Sequence, residues 1–232
     1  MRKELLIFGA NGALGKGITK TMLQKDYNKI YLFDFNMEKE NLTGASIEKI
    51  NSGDLSIEKN VEDTFKRINP SAKTLFFLYS TVGGFAGGKT ISETDEEEWM
   101  MMMNMNLKSN FFLAKYFSRL VEKSAGGSIC FTAAQTGLIP EAGKGSYGIS
   151  KSALIHLVKT LALEGKSIKL TANAIAPYII DTPANRAWMN NADYSAWTKT
   201  EEIGNLAHSI FKHFYFISGN IIKLNVRFDF PE

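Results

Sequence analysis

The chain has 232 residues, 44% hydrophobic and 12% aromatic, enough for one sizeable core and a single domain spanning 1–232. Its formal charge is +3 and no run of lysines or arginines marks a nucleic-acid stripe, while no stretch approaches the roughly 20 apolar residues that span a bilayer. The lone cysteine, Cys130, cannot form an internal disulfide, the N-terminus lacks the long apolar core of a signal peptide, and no histidine has a cysteine or acidic cluster near it; these point to a reducing, cytoplasmic setting without a metal site.

The first strand is expected over 4–10 and runs into Gly9-Ala10-Asn11-Gly12-Ala13-Leu14-Gly15, before a helix over 14–25. Glycines spaced three and three between a strand and a helix let backbone N–H groups approach a pyrophosphate at a positively polarised helix end. A second strand, 29–35, places Asp34 at its end, 19 residues after Gly15. A carboxylate there suits an adenosine ribose diol and repels a 2′-phosphate, and no arginine adjoins it, so NADH is favoured over NADPH. After a short third strand, Asp54 and Leu55 either border the adenine or simply close an Asx turn.

A fourth strand, 73–80, leads into TVGGFAGG, where Gly83 and Gly84 suggest backbone lying against a ligand, and Phe85 is either a stacking ring or core. The segment 95–123 opens on four acids suited to a helix start and continues as one apolar-faced helix that includes Asn106. Its methionine run, 100–103, reads as core or interface filler. The fifth strand, 127–134, ends in Ala133-Ala134. A helix over 147–164 then puts Tyr147 and Lys151 on one face at i and i+4. Strands 170–177 and 219–226 complete the pattern. These runs are almost continuously apolar, as in strands buried on both faces, so the fold class is α/β: a doubly wound Rossmann fold with a parallel sheet of about seven strands.

With these pieces in order, the chain resembles the short-chain dehydrogenase/reductase family over nearly its whole length. The resemblance rests on the glycine turn, Asp34, Asp54, Asn106, Tyr147-x-x-x-Lys151 and PYIIDTP from Pro177 to Pro183. Within the family, the dihydropteridine reductases are the nearest in look. GANGALG, GGFAGG, alanine at the position of the usual serine and IDTPANRAWMNNADYSAWT ending at Thr198 carry that likeness. The family would then imply that Tyr147 donates a proton, Lys151 raises its acidity and holds the nicotinamide ribose, and Asn106 holds a relay water or merely caps backbone. Pro177, Ile180 and Thr182 would join the cofactor contacts, and Phe85, Tyr147 and Asn185 would meet a pterin. Trp188, Tyr194 and Trp197 would cover the pocket, and a homodimer would form through the two long helices. The missing serine, thirteen residues before Tyr147, argues for an acceptor that needs only one hydroxyl donor. A reductase of another quinone-like or carbonyl substrate, or a silent dinucleotide sensor, are the other readings.

Overall fold

The computed structural model describes residues 1–37 and 46–225. Seven strands form one parallel sheet: β1 (Arg2–Phe8), β2 (Lys29–Asp34), β3 (Ser46–Asn51), β4 (Thr74–Ser80), β5 (Gly126–Thr132), β6 (Leu170–Pro177) and β7 (Ile221–Leu224). Their order is β3-β2-β1-β4-β5-β6-β7. This is the Rossmann arrangement expected from the sequence. Of the strand foreseen over 219–226, Val226 lies outside the described residues.

Alternating side chains of each strand enter two cores. Leu6, Phe8, Phe33, Phe76, Leu78 and Phe131 pack on one face beneath α2 (Glu58–Phe65), α4 (Ser109–Glu122) and α5 (Gly145–Glu164). Leu5, Ile7, Leu32, Phe77 and Tyr79 pack on the other beneath α1 (Ala13–Met22) and α7 (Thr200–Lys212). Burial on both faces explains why the strands read as unbroken apolar runs rather than alternating ones. Cys130 belongs to the second core, fully buried, with its thiol pushed up by desolvation, as a small hydrophobe should be.

The single helix foreseen over 95–123 is a correction. α3 (Glu96–Met103) and α4 are joined by a π turn at Asn104–Lys108, which carries Asn106. The α3 start is as foreseen: Asp95 caps it by accepting from Glu98 N–H at 2.8 Å, with three glutamates in the first turn beside the positive helix end. The order in which successive strands are added reverses between β1 and β4, which opens a crevice at their carboxyl ends. A short α6 (Pro183–Trp188) follows β6. Among the described residues no helix is long and apolar enough to cross a membrane, and no group of three or more metal-ligating side chains is found.

Candidate active site

The crevice holds two adjoining hollows that share Leu14, Thr81 and Gly83. The first, about 510 Å³, runs from the glycine turn to Asp34, Asp54, Leu55 and Thr182. Gly9 turns the chain at φ +78°, and a Cβ on Gly15 would stand 2.0 Å from the Gly9 carbonyl oxygen, so only glycine lets α1 begin this close to β1. α1 has no acidic residue in its first turn and no side-chain cap, so its N–H groups face the hollow unclaimed by a carboxylate. Asp34 accepts from Asn11 N–H at 2.9 Å and from Phe35 N–H at 2.8 Å, which fixes its carboxylate on the wall. Asp54 also lines the hollow, while its Oδ1 accepts from Ser56 N–H at 2.8 Å; the Asx turn and the wall position coexist. A close-packed glycine turn, a bare helix end and a carboxylate at the far strand fit a dinucleotide.

The second hollow, about 370 Å³, is lined by Gly84, Phe85, Ala134, Tyr147, Lys151, Pro177, Ile180, Asn185 and Trp188. Lys151 is only 4% exposed and donates to the Thr132 carbonyl at 2.8 Å. An ammonium has three donors, so two remain for a ligand. Burial lowers its pKa to about 8. Tyr147 differs from the expectation. Its ring centroid lies 5.9 Å from Lys151 Nζ, and desolvation, with help from the Glu141 carboxylate, pushes the phenol up to about 12 rather than down. The hydroxyl is thus fully protonated at neutral pH, the form a proton donor needs.

Asn106 lines neither hollow. It is fully buried behind the glycine loop, where its Oδ1 accepts from Gly84 N–H and its Nδ2 donates to the Gly84 carbonyl and to Ser150 Oγ, each at 3.0 Å. Ser150 in turn donates to the Tyr147 carbonyl at 2.7 Å. The side chain is spent on protein groups, so its work here is to pin Gly83-Gly84 to α5. A Cβ on Gly83 would meet Asn106 Oδ1 at 2.5 Å. Asn110, which the sequence reading passed over, extends the clamp by donating to the Val82 and Asn106 carbonyls and accepting from Ser80 Oγ. Its only sequence signal is a second asparagine one turn on, inside an apolar helix face.

Phe85 is 47% exposed and meets the Tyr147 ring edge-on at 5.0 Å and the Trp188 ring at 5.4 Å, so it is a pocket wall and not core. Thr182 caps α6 by accepting from Asn185 N–H at 3.2 Å, and Asn185 Nδ2 donates to the Ile180 carbonyl at 2.8 Å. Trp188 lines the hollow as foreseen. Tyr194 and Trp197 do not: they pack on each other at 4.8 Å, with Trp197 buried as the anchor of the segment. Ala134 borders the hollow where a serine was missed. The nearby Thr132 hydroxyl is taken by the Ser80 carbonyl at 2.9 Å and the Thr136 hydroxyl by Glu141 at 2.6 Å. Glu141 and Lys144, also on the wall, went unnoticed in the sequence because two loop charges carry no periodic signal.

The chain is similar to several known proteins. The curated dihydropteridine reductase of Dictyostelium discoideum is 31% identical over 205 residues, covering 88% of this chain and 85% of that one. Carbonyl reductase family member 4 of Xenopus laevis is 28% identical, covering 78% and 77%. The solved structure described as ElxO with NADP bound is 22% identical, with a TM-score of 0.84 over 97% of each chain, and so shares the fold. The family model for short chain dehydrogenases matches residues 3–193. The chain therefore belongs to the short-chain dehydrogenase/reductase family, whose members are NAD(P)(H)-linked oxidoreductases.

Proposed function

We propose that the chain, acting over 1–232 as one reductase domain, reduces quinonoid dihydropteridines to tetrahydropteridines with NADH. The observation that carries this reading is Ala134 on the pocket wall, with both neighbouring threonine hydroxyls engaged elsewhere. A ketone becomes an alkoxide as it is reduced and gains from paired hydroxyl donors. A quinonoid dihydropterin is an electron-poor conjugated ring that regains aromaticity on reduction, so one proton donor is enough. The sequence likeness to the Dictyostelium protein named dihydropteridine reductase supports the same reading.

A bound nicotinamide dinucleotide supplies the hydride. Asp34 accepts from the adenosine ribose hydroxyls and disfavours a 2′-phosphate by charge, while the N–H groups of the glycine turn take the pyrophosphate. Lys151 gives its two remaining N–H donors to the nicotinamide ribose. Phe85 and Trp188 hold the flat ring and exclude water. Tyr147, protonated by virtue of its burial, donates the proton. The exposed apolar faces of α3, α4 and α5 support a homodimer.

The test is NADH oxidation with chemically generated quinonoid dihydrobiopterin, run beside NADPH and a panel of ketones. The pterin is expected to outpace every ketone, and NADH to outpace NADPH. Tyr147→Phe should lose about 10²- to 10⁴-fold of kcat, the range for one positioned acid, with NADH affinity nearly kept. Ketone reduction faster than pterin reduction moves the chain to the carbonyl-reducing members.

A further inference from the structure

One carboxylate on the pocket wall has no part in the reaction as written. Glu141 lies in the loop before α5 and borders the same hollow as Tyr147, Phe85 and Trp188. Each of its oxygens is engaged once. Oε1 accepts from Thr136 Oγ1 at 2.6 Å, and Oε2 from Lys144 Nζ at 2.7 Å. A carboxylate has about four lone-pair sites, so one stays open on each oxygen while the two clamps fix the plane of the group. The clamp is itself held. Lys144 Nζ lies 6.0 Å from the centroid of the Phe85 ring, and Gly88 N–H bonds the Gly143 carbonyl at 2.7 Å, which ties this loop to the glycine loop.

We propose that Glu141 is the specificity-determining residue of the pocket and takes the aminopyrimidinone edge of a reduced pterin on its two open sites. The choice of ligand rests on the pterin reading above. The pyrimidinone ring of a reduced pterin presents a ring N–H beside an exocyclic amino group, two parallel donors that match a carboxylate as a guanidinium does. Quinones and ketones carry no such edge and leave Glu141 idle. A lumazine has an oxygen in place of the amino group. It sets a lone pair against the carboxylate, and a site made to pair with N–H rejects the analogue that lacks it.

The experiment is anaerobic equilibrium binding of 6-methyltetrahydropterin and 6-methyltetrahydrolumazine to the NAD⁺-loaded protein, read by quenching of tryptophan fluorescence, with wild type and Glu141→Gln. Wild type is expected to prefer the pterin by about 10- to 100-fold, the scale of hydrogen bonds to a charged group. Glu141→Gln should bring the two ligands within about threefold while NADH affinity stays unchanged, which separates pairing from loss of the fold. Equal binding of both ligands by wild type, or a preference that survives in Glu141→Gln, overturns the assignment. Because the readout is binding, a wild type that discriminates but does not turn over quinonoid dihydropterin keeps this assignment and removes the proposed reaction instead.

Discussion

Lys151 is an ammonium placed where burial disfavours it, and that displacement has a sign that can be measured. Its pKa in the folded chain is about 8, against an ordinary 10.5. Between those values the unfolded chain binds more protons, so on this residue's account stability rises with pH from about 8 to about 10.5. Below about pH 8 the lysine is charged in both states and the whole penalty, ~3 kcal/mol, is present. Lys151→Met removes it and leaves the Thr132 carbonyl without its donor, a loss of ~1 kcal/mol. The variant is therefore expected to be more stable than wild type by ~2 kcal/mol at pH 7 in urea melts, with the gap closing near pH ~9.5 and reversing to ~1 kcal/mol in favour of wild type by pH ~10.5, while turnover collapses. A gap that stays constant with pH would mean the ammonium is not the strained group. The same residue shows where sequence reasoning stopped. The i, i+4 spacing placed Lys151 and Tyr147 on one face, but spacing carries no information on desolvation. The phenol is held high by its surroundings rather than drawn down by the lysine.

The π turn at Asn104–Lys108 is the element on which the loop after β4 depends. An α-helix through 95–123 would keep every backbone carbonyl within its own ladder. The extra residue of the π turn is instead accommodated by Ser109 Oγ donating to the Asn104 carbonyl at 2.8 Å and by Asn110 donating to the Asn106 carbonyl at 2.9 Å. Periodicity cannot show this, because a one-residue insertion leaves the apolar stripe readable on both sides. It also explains why the partners of Asn106 were not legible in the sequence. Its amide reaches Gly84 and Ser150 only from this register, and those contacts are long-range. Asn106→Ala should leave the Gly84 N–H and carbonyl without their partners, at ~1–3 kcal/mol for each group that water does not reach, while Ser150 loses one donor to its hydroxyl oxygen but keeps its own bond to the Tyr147 carbonyl. Calorimetry is expected to show a lower Tm, and titration a weaker NADH affinity, with kcat at saturation reduced much less than in Tyr147→Phe. Unchanged Tm and NADH affinity would show that Gly83-Gly84 hold their place without the asparagine.

At the scale of the whole molecule, the sheet was the most legible feature. Continuous apolar strands interrupted by amphipathic helices admit few arrangements other than a parallel sheet covered on both sides. What the same pattern leaves open is which helix faces meet solvent. α3, α4 and α5 carry Trp99, Met100, Met101, Phe111, Ile149 and Leu163 at the surface, each more than a third exposed. Large apolar groups spread over adjoining helices are more than the scatter normal for a monomer surface and mark an interaction face. The methionines among them are unbranched and adapt to a partner's contour, as interface filler would. A second copy placed across a two-fold axis would cover this surface with itself, each α4 and α5 packing on its counterparts. Light scattering at micromolar concentration is then expected to give twice the 25.8 kDa chain mass. Phe111, half exposed in the single chain, contributes little to its own fold, so Phe111→Glu should keep the melting behaviour of the isolated subunit yet scatter as a monomer, because two carboxylates would face each other near the axis. A wild-type mass of one chain would give this face to some other partner, and a dimer that persists in Phe111→Glu would put the two-fold axis elsewhere on the molecule.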